Sequence, residues 1–483
     1  MKILFVWPNI ESRARHEANM GIAYLSAVMK KTGHQTLLFT PETFSKTEFL
    51  LRVRQYNPDL VGFSVTTHQY PYAAEYAKSL KKERDVPIIF GGFHPTLSPD
   101  SVIANPDIDM ICRGEGEYPL LELVNALVEK KDPSNILNLW VKKNGKITKN
   151  PLRNLIEDLD SLPYPDREFI NQEEILRNNG YRLDLATGRG CPYNCSYCCN
   201  SALRLVNQSK GKFIRKRSVD NVLGELDAIL KKYQVREIHF QDDMFLLDKD
   251  WLKEFSEKYP QKYQIPFHIS ARVEHIDRKS SELLRKVGCV SVTIGVETGN
   301  EQLRKEVLKK RLSNKEILRA RQLLRETGIK VCALSMIGVP GETPAMAQET
   351  LDFNKKLNPD WLACSIFSPY PGTALYQLCQ EKGHFQKNFD GYSPSYLDEK
   401  SALILNLPTF PPKQVIKGHR KFMDFAMGKY LREKYPVLYP FYLGILPLLK
   451  TPLRKYLIKL GSMLILDSGT LRKKENVSGL PPS

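Results

Sequence analysis

Short apolar runs alternate with longer amphipathic stretches along most of this chain, and no other feature limits its fold as much. A helix between two strands returns the chain to the same sheet edge. Successive strands then lie parallel, and the crossovers cover both sheet faces. Strand-like runs at residues 2–6, 35–38, 60–64, 86–90 and 109–112, separated by amphipathic segments such as 21–31 and 70–82, predict an α/β doubly wound parallel sheet over residues 1–140. A second series has strands near 181–187, 236–240, 267–270, 290–295, 330–337 and 361–367. Its helices include 218–233 and 313–326, the latter opened by a capping box of Ser313 and Glu316. Six βα units at this spacing predict a partial (β/α)6 barrel over residues 179–395.

Between the two series, residues 141–178 are polar and rich in Lys, Asp, Asn and Pro, which predicts a linker containing a small hairpin. After Tyr396 the rhythm stops, and residues 396–483 form a basic, aromatic-rich and mainly helical C-terminal segment. Within it, Pro436, Pro440, Pro447 and Pro452 predict short, broken helices over 435–459. A chain of 483 residues exceeds what one hydrophobic core supports, in keeping with this division.

Ten of the seventeen net positive charges fall after residue 400, where 14 Lys/Arg face 4 Asp/Glu. The basic and aromatic stretch 422–459 suits a peripheral contact with an anionic membrane surface, a cover over a hydrophobic substrate, or a solvated lid. The start MKILFVWPNI has neither the basic head nor the cleavage site of a secretion signal. No run reaches the ~18 apolar residues of a membrane span. The nine cysteines are odd in number and unevenly spread, unlike a disulfide framework. A cytoplasmic, reducing location is the expectation.

Ligands of doubly wound sheets lie beyond the carboxyl ends of the strands. The loops expected there are Ser64-Val65-Thr66-Thr67, Gly91-Gly92-Phe93-His94-Pro95 and Gly114-Glu115-Gly116-Glu117. They make Ser64, Gly91 and Gly92 candidate binding residues, with the reading of the glycines as plain turn residues kept beside it.

Four cysteines fall within nine residues just after the first strand of the second series. Cys191, Cys195 and Cys198 have the spacing C-x-x-x-C-x-x-C in a glycine-rich turn, and three thiolates on one short loop reach three irons of a cubane cluster. With no fourth ligand nearby, one iron stays open. Zinc normally takes a fourth protein ligand, and no second Cys/His pair at zinc spacing follows. A redox pair of Cys195 and Cys198 leaves Cys191 unexplained. Structural cysteines do not gather in such a turn, and Cys199 is treated as a spare.

The motif, with an aromatic at Tyr197 before Cys198, resembles the signature of the radical S-adenosylmethionine (SAM) superfamily. The resemblance implies a 4Fe-4S cluster on the three cysteines. Its open iron binds the amino and carboxylate groups of SAM, which is cleaved reductively to a 5′-deoxyadenosyl radical. Later strand ends resemble the family's SAM contacts: Asp242 and Asp243 after the second strand, Ser270 and Arg272 after the third, Glu297 after the fourth and Gly338 after the fifth. Taken alone, acids after a strand are more often helix caps. Tyr197 holds the aromatic position near adenine.

A doubly wound domain directly before such a barrel resembles the cobalamin-binding subgroup. The likeness is carried by Met20-Gly21-Ile22-Ala23-Tyr24-Leu25, Gly62-Phe63-Ser64 and the two glycine loops above. The D-x-H-x-x-G motif of the wider cobalamin pattern is absent, and His16 and His94 lie in other contexts. The resemblance therefore implies cobalamin without a named protein ligand to cobalt. In the subgroup, cobalamin carries a methyl group from one SAM to a carbon activated by a second. Two reaction classes are expected: methylation of an unactivated carbon, or radical oxidation or ring closure of a lipid or tetrapyrrole. A third reading makes the N-terminal domain a cobalamin-free recognition module. The tRNA methylthiotransferase reading is disfavoured, since the first 190 residues hold only Cys112, and nucleic acid is disfavoured as substrate with it. The chemistry implies a low-potential flavodoxin or ferredoxin as electron donor and an organic, hydrophobic substrate.

Overall fold

The computed structural model describes residues 1–10, 17–386, 403–437 and 439–440. Seven strands build the first sheet: β1 (Lys2–Val6), β2 (Gln35–Phe39), β3 (Leu60–Ser64), β4 (Ile88–Gly91), β5 (Met110–Cys112), β6 (Leu139–Lys143) and β7 (Lys146–Lys149). Their order is β2-β1-β3-β4-β5-β6-β7. β1 to β5 are parallel, and β6 and β7 are antiparallel. Alternate residues of each strand serve opposite faces. Ile3 and Phe5 pack with the helices Met20–Lys31 and Glu117–Val128, whereas Leu4 and Val6 pack with Lys46–Tyr56 and Tyr70–Glu83. Strands apolar on both faces are what a doubly covered sheet requires. The strand order turns back between β1 and β3, which opens a crevice beyond their carboxyl ends.

The hairpin expected in the polar stretch forms as β6–β7 and extends the edge of this sheet. Trp140 and Val141 are buried against it, and an isolated hairpin of this size is marginal without such support.

The remaining strands are β8 (Arg182–Leu185), β9 (Gly188–Arg189), β10 (Arg215–Lys216), β11 (Glu237–Phe240), β12 (Phe267–Ala271), β13 (Cys289–Glu297), β14 (Lys330–Ile337) and β15 (Trp361–Ile366). Six of them form a parallel sheet in the order β15-β14-β13-β12-β11-β8, and β9 and β10 form a separate two-stranded clip. Leu183, Ile238, Phe267, Val292 and Val331 join one core with the surrounding helices. The alternate residues face the concave side, where the register aligns Asp184 with His239, His239 with His268, and His268 with Ser291. The capping box opens the helix Asn314–Glu326 as expected, with Ser313 and Glu316 bonded reciprocally.

One long helix, Pro412–Lys434, lies against β14 and β15. Val415, Phe422 and Ala426 enter the barrel core, and His419 Nε2 donates to Cys364 O at 3.1 Å. Phe422, expected to begin a membrane-facing or substrate-covering stretch, is 1% exposed and packs the core instead. Residues 441–459 of that stretch lie outside the described residues. Among the described residues, no helix is long and apolar enough to cross a membrane.

Candidate active site

From β8 the chain runs through β9 into the cysteine loop and then the helix Cys199–Val206. β9 is clipped to β10, with Arg189 opposite Arg215. Gly190 sits at φ 93°, and a Cβ there would stand 2.3 Å from Phe213 O, so only glycine fits this approach. Inside the loop, Cys195 O accepts from Cys198 N at 3.1 Å and from Ser201 Oγ at 2.9 Å. Arg272 Nη1 donates to Cys195 Sγ at 3.3 Å, and its guanidinium lies 3.6 Å from the centre of the Tyr193 ring. Burial pushes the Cys191 thiol up to about 11, while a hydrogen bond with Cys199 brings Cys198 down to about 7. Among the described residues, no three His, Cys, Asp or Glu groups converge on a single point as around one ion. A cubane spreads its thiolates over separate irons, and three thiols along one fixed loop fit such a cluster.

Opposite this loop, β13 carries a bulge at Gly295 and Glu297, and Glu297 takes the left-handed conformation at φ 64°. The fully buried Arg304 pins both sides of it, donating from Nε to Val296 O at 3.1 Å and Thr298 O at 3.0 Å. The Glu297 carboxylate accepts from Tyr197 Oη at 3.0 Å and from Lys310 Nζ at 2.9 Å. Tyr197 and Glu297, named separately from sequence, thus form one unit. Lys310 and Arg304 escaped the sequence reading because nothing local marks a residue that acts across a bulge.

The two acids after β11 part company. Asp242 accepts from Thr187 N at 2.9 Å and Thr187 Oγ1 at 2.5 Å, fastening the end of β8 to the end of β11. Asp243 opens into a cavity beside Asn200; its side chain is exposed to that cavity, and the protein crowded around it still displaces enough water to raise its carboxyl above the usual range. Ser270 is half-buried on the concave face opposite Thr293. Gly338, at φ 81°, donates its N–H to Glu342, and a Cβ there would come within 3.1 Å of Val415 on the C-terminal helix.

That cavity, of about 470 Å³, lies between the N-terminal sheet and the β9–β10 clip. Its size falls in the ~300–1,000 Å³ range of ligand sites. Ser64, Gly91 and Gly92 line one wall, and Gly188, Arg189 and Asn200 the other. Gly91 lines the cavity, and a Cβ there would meet nothing nearer than 3.9 Å. Phe93 exposes 50% of its surface there, apolar area that a bound group would cover. The cavity's described lining contains no histidine; His94 turns away, Nδ1 3.2 Å from Thr67 Oγ1 and its ring 4.7 Å from that of Tyr70, and burial takes it down to about 4. His16 lies outside the described residues. A glycine-floored, largely apolar cavity fits a broad planar cofactor.

Residues 185–354 match the model of the Radical SAM superfamily, and residues 7–124 that of the B12 binding domain. An uncharacterized methyltransferase, PH0819, of Pyrococcus horikoshii is 30% identical over 78% of this chain and 83% of its own length. An anaerobic magnesium-protoporphyrin IX monomethyl ester cyclase of Rubrivivax gelatinosus is 28% identical over 91% of this chain and 79% of its own. The radical S-adenosylmethionine methyltransferase TsrM from Kitasatospora setae, solved with cobalamin and a 4Fe-4S cluster bound, superposes with a TM-score of 0.67 at 19% identity, covering 81% of this chain and 78% of that one. A 4Fe-4S cluster, SAM and cobalamin are accordingly the cofactors. The chain belongs to the cobalamin-binding radical SAM enzymes.

Proposed function

We propose that the protein is a cobalamin-dependent radical SAM methyltransferase acting on an unactivated carbon. The observation that carries this reading is a shared wall: Gly188, Arg189 and Gly190 line the cavity and lead directly into Cys191. When bound, the cluster supplies the electron that cleaves SAM to a carbon-centred radical, and cobalamin supplies the methyl group. The chain's own residues set the geometry. Cys191, Cys195 and Cys198 would hold the cluster, while Arg272 steadies the Cys195 sulfur. Glu297, fixed by Tyr197 and Lys310, orients the ribose or amine of SAM. Asp243 places a carboxyl at the junction of cavity and cluster loop. Ser64, Gly91 and Gly92 seat the corrin ring.

The concave face of the barrel offers the substrate two kinds of wall. On the β8–β12 side it is polar, with Asp184 Oδ1 3.1 Å from His239 Nδ1. On β14 it is less polar, with Cys332 and a 40%-exposed Leu334. An organic molecule of mixed polarity suits both. Ring closure or oxidation is the second reading, favoured by the extent of the match to the Rubrivivax cyclase. A low-potential flavodoxin or ferredoxin in the cytoplasm is the proposed electron source, and a peripheral membrane contact through residues after 440 is the proposed route to a hydrophobic substrate.

The test is an anaerobic incubation of the reconstituted enzyme with methyl-deuterated SAM, hydroxocobalamin, titanium(III) citrate and a metabolite extract. Methylation yields S-adenosylhomocysteine with 5′-deoxyadenosine and a deuteromethylated product. Substrate-dependent 5′-deoxyadenosine without S-adenosylhomocysteine sinks the methyltransferase reading in favour of the second.

A further inference from the structure

Arg189 lies two positions before Cys191, and its guanidinium crosses to the N-terminal domain. Nη1 donates to Glu115 Oε1 at 2.8 Å, and Nη2 donates to Glu117 Oε1 at 2.6 Å. Across the clip, Arg215 Nη1 donates to Glu115 Oε2 at 3.0 Å and to Ile156 O at 2.8 Å. Glu115 Oε2 also accepts from Ile156 N at 2.8 Å, so a single carboxylate gathers both arginines and the segment leading to the barrel. The Glu117 and Arg215 side chains are each 5% exposed.

Two arginines balance two glutamates; among the described ion pairs Glu117 pairs with Arg189 alone and Arg215 with Glu115 alone, so removing Arg189 or Glu115 leaves a buried charge without its partner, and the network is held through that central pair. Both of its ends belong to functional surfaces. Glu115 and Glu117 continue the turn whose Gly114 and Gly116 face the cavity, and all four charged residues line that cavity. At the other end, Arg189 connects to Cys191 through Gly190, which packs so closely against Phe213 O that no side chain would fit there.

We infer that Glu115, Glu117, Arg189 and Arg215 are positioning residues that couple corrinoid binding to retention of the cluster. A corrinoid filling the cavity keeps the network closed, and the closed network holds the cysteine loop. Linkage makes the effect reciprocal: an assembled cluster tightens corrinoid binding by the same factor. The inference rests on cobalamin occupying this cavity and is independent of whether the reaction is methylation.

The experiment follows iron release from the reconstituted full chain to an iron(II) chelator, with and without hydroxocobalamin. In the wild type, hydroxocobalamin slows release by about fivefold or more, the lower end of ordinary coupling between sites. In Glu117→Gln and Arg189→Gln the slowing falls below about twofold, although both assemble the cluster without corrinoid, and Arg189→Lys restores part of it. As the second readout, the hydroxocobalamin Kd of the wild type weakens once the cluster is stripped, as reciprocal coupling of the two binding equilibria requires. If Arg189→Gln fails to fold, Glu117→Gln decides, since it leaves the Arg189–Glu115 pair in place. Wild-type protein that binds hydroxocobalamin without slower iron release overturns the coupling, and so does equal slowing in Glu117→Gln. Failure of the wild type to bind hydroxocobalamin overturns the cavity assignment and the coupling with it.

Discussion

Replacing Gly190 with alanine strikes the cluster loop at its tightest point. The new Cβ would lie 2.3 Å from Phe213 O, so the carbonyl must withdraw by about 0.7 Å to reach even the 3.0 Å limit of real contacts. Phe213 leads into β10 and the Arg215–Arg189 pairing, which resist that movement. An L-residue at φ 93° costs ~1–2 kcal/mol, and forcing a methyl into packed surroundings adds ~1–3 kcal/mol. The total is about 3 kcal/mol, or roughly 6–12 °C in Tm for a domain of this size. Gly33 provides the control. Its φ is 84°, but a Cβ there would meet nothing within 4 Å, so Gly33→Ala carries only the backbone cost of ~1–2 kcal/mol. The assay pairs thermal unfolding with iron and acid-labile sulfide content after reconstitution. Gly190→Ala is expected to lose most of its iron and Gly33→Ala none. Equal iron in the two variants, with equal Tm shifts, refutes the reasoning.

Four further substitutions probe the site. Tyr197→Phe removes the hydroxyl bonded to the Glu297 carboxylate and weakens SAM binding about tenfold, a loss of ~1.4 kcal/mol, with iron content unchanged in the same preparation. Asp242→Asn leaves one of the two Thr187 donors without an acceptor and costs ~1–3 kcal/mol in thermal unfolding; Asp243→Asn instead leaves Tm unchanged and raises the midpoint potential of the cluster, because a negative charge is lost beside Cys191 and Cys198. Burial lifts the Glu342 carboxyl to about 7, above its ordinary 4.5, so the unfolded chain releases that proton first. Its contribution to stability is therefore full below about pH 4.5 and is lost as pH rises through 7. Glu342→Gln cannot ionise, and its Tm gains on the wild type between about pH 5 and pH 7; parallel curves would contradict this.

The features legible in the sequence were those with a local signal. The apolar runs that became β1, β3 and β14 stand where their periodicity put them, because each strand is apolar on the faces it buries. The cysteine spacing located the loop, and glycines at strand ends located the cavity floor at Gly91 and Gly92. What escaped was long-range. The β9–β10 clip has two residues per strand and no period to read. Glu115 and Arg189 are 74 positions apart, and only the packed chain shows that they meet. Asp242 and Asp243 look alike in sequence; the alternation of the backbone after β11 sends one to Thr187 and the other to the cavity. Phe422 reads as part of an exposed aromatic stretch until the helix carrying it is seen lying on β14 and β15.

The most direct test of the central claim is to load the anaerobic protein with iron, sulfide and hydroxocobalamin, add SAM and a strong reductant, and quantify both SAM products by mass spectrometry. The expected result is 5′-deoxyadenosine that vanishes in Cys191→Ala, Cys195→Ala and Cys198→Ala, and S-adenosylhomocysteine that vanishes when cobalamin is omitted. 5′-Deoxyadenosine that persists after loss of any of the three cysteines, or S-adenosylhomocysteine formed equally without cobalamin, would contradict it.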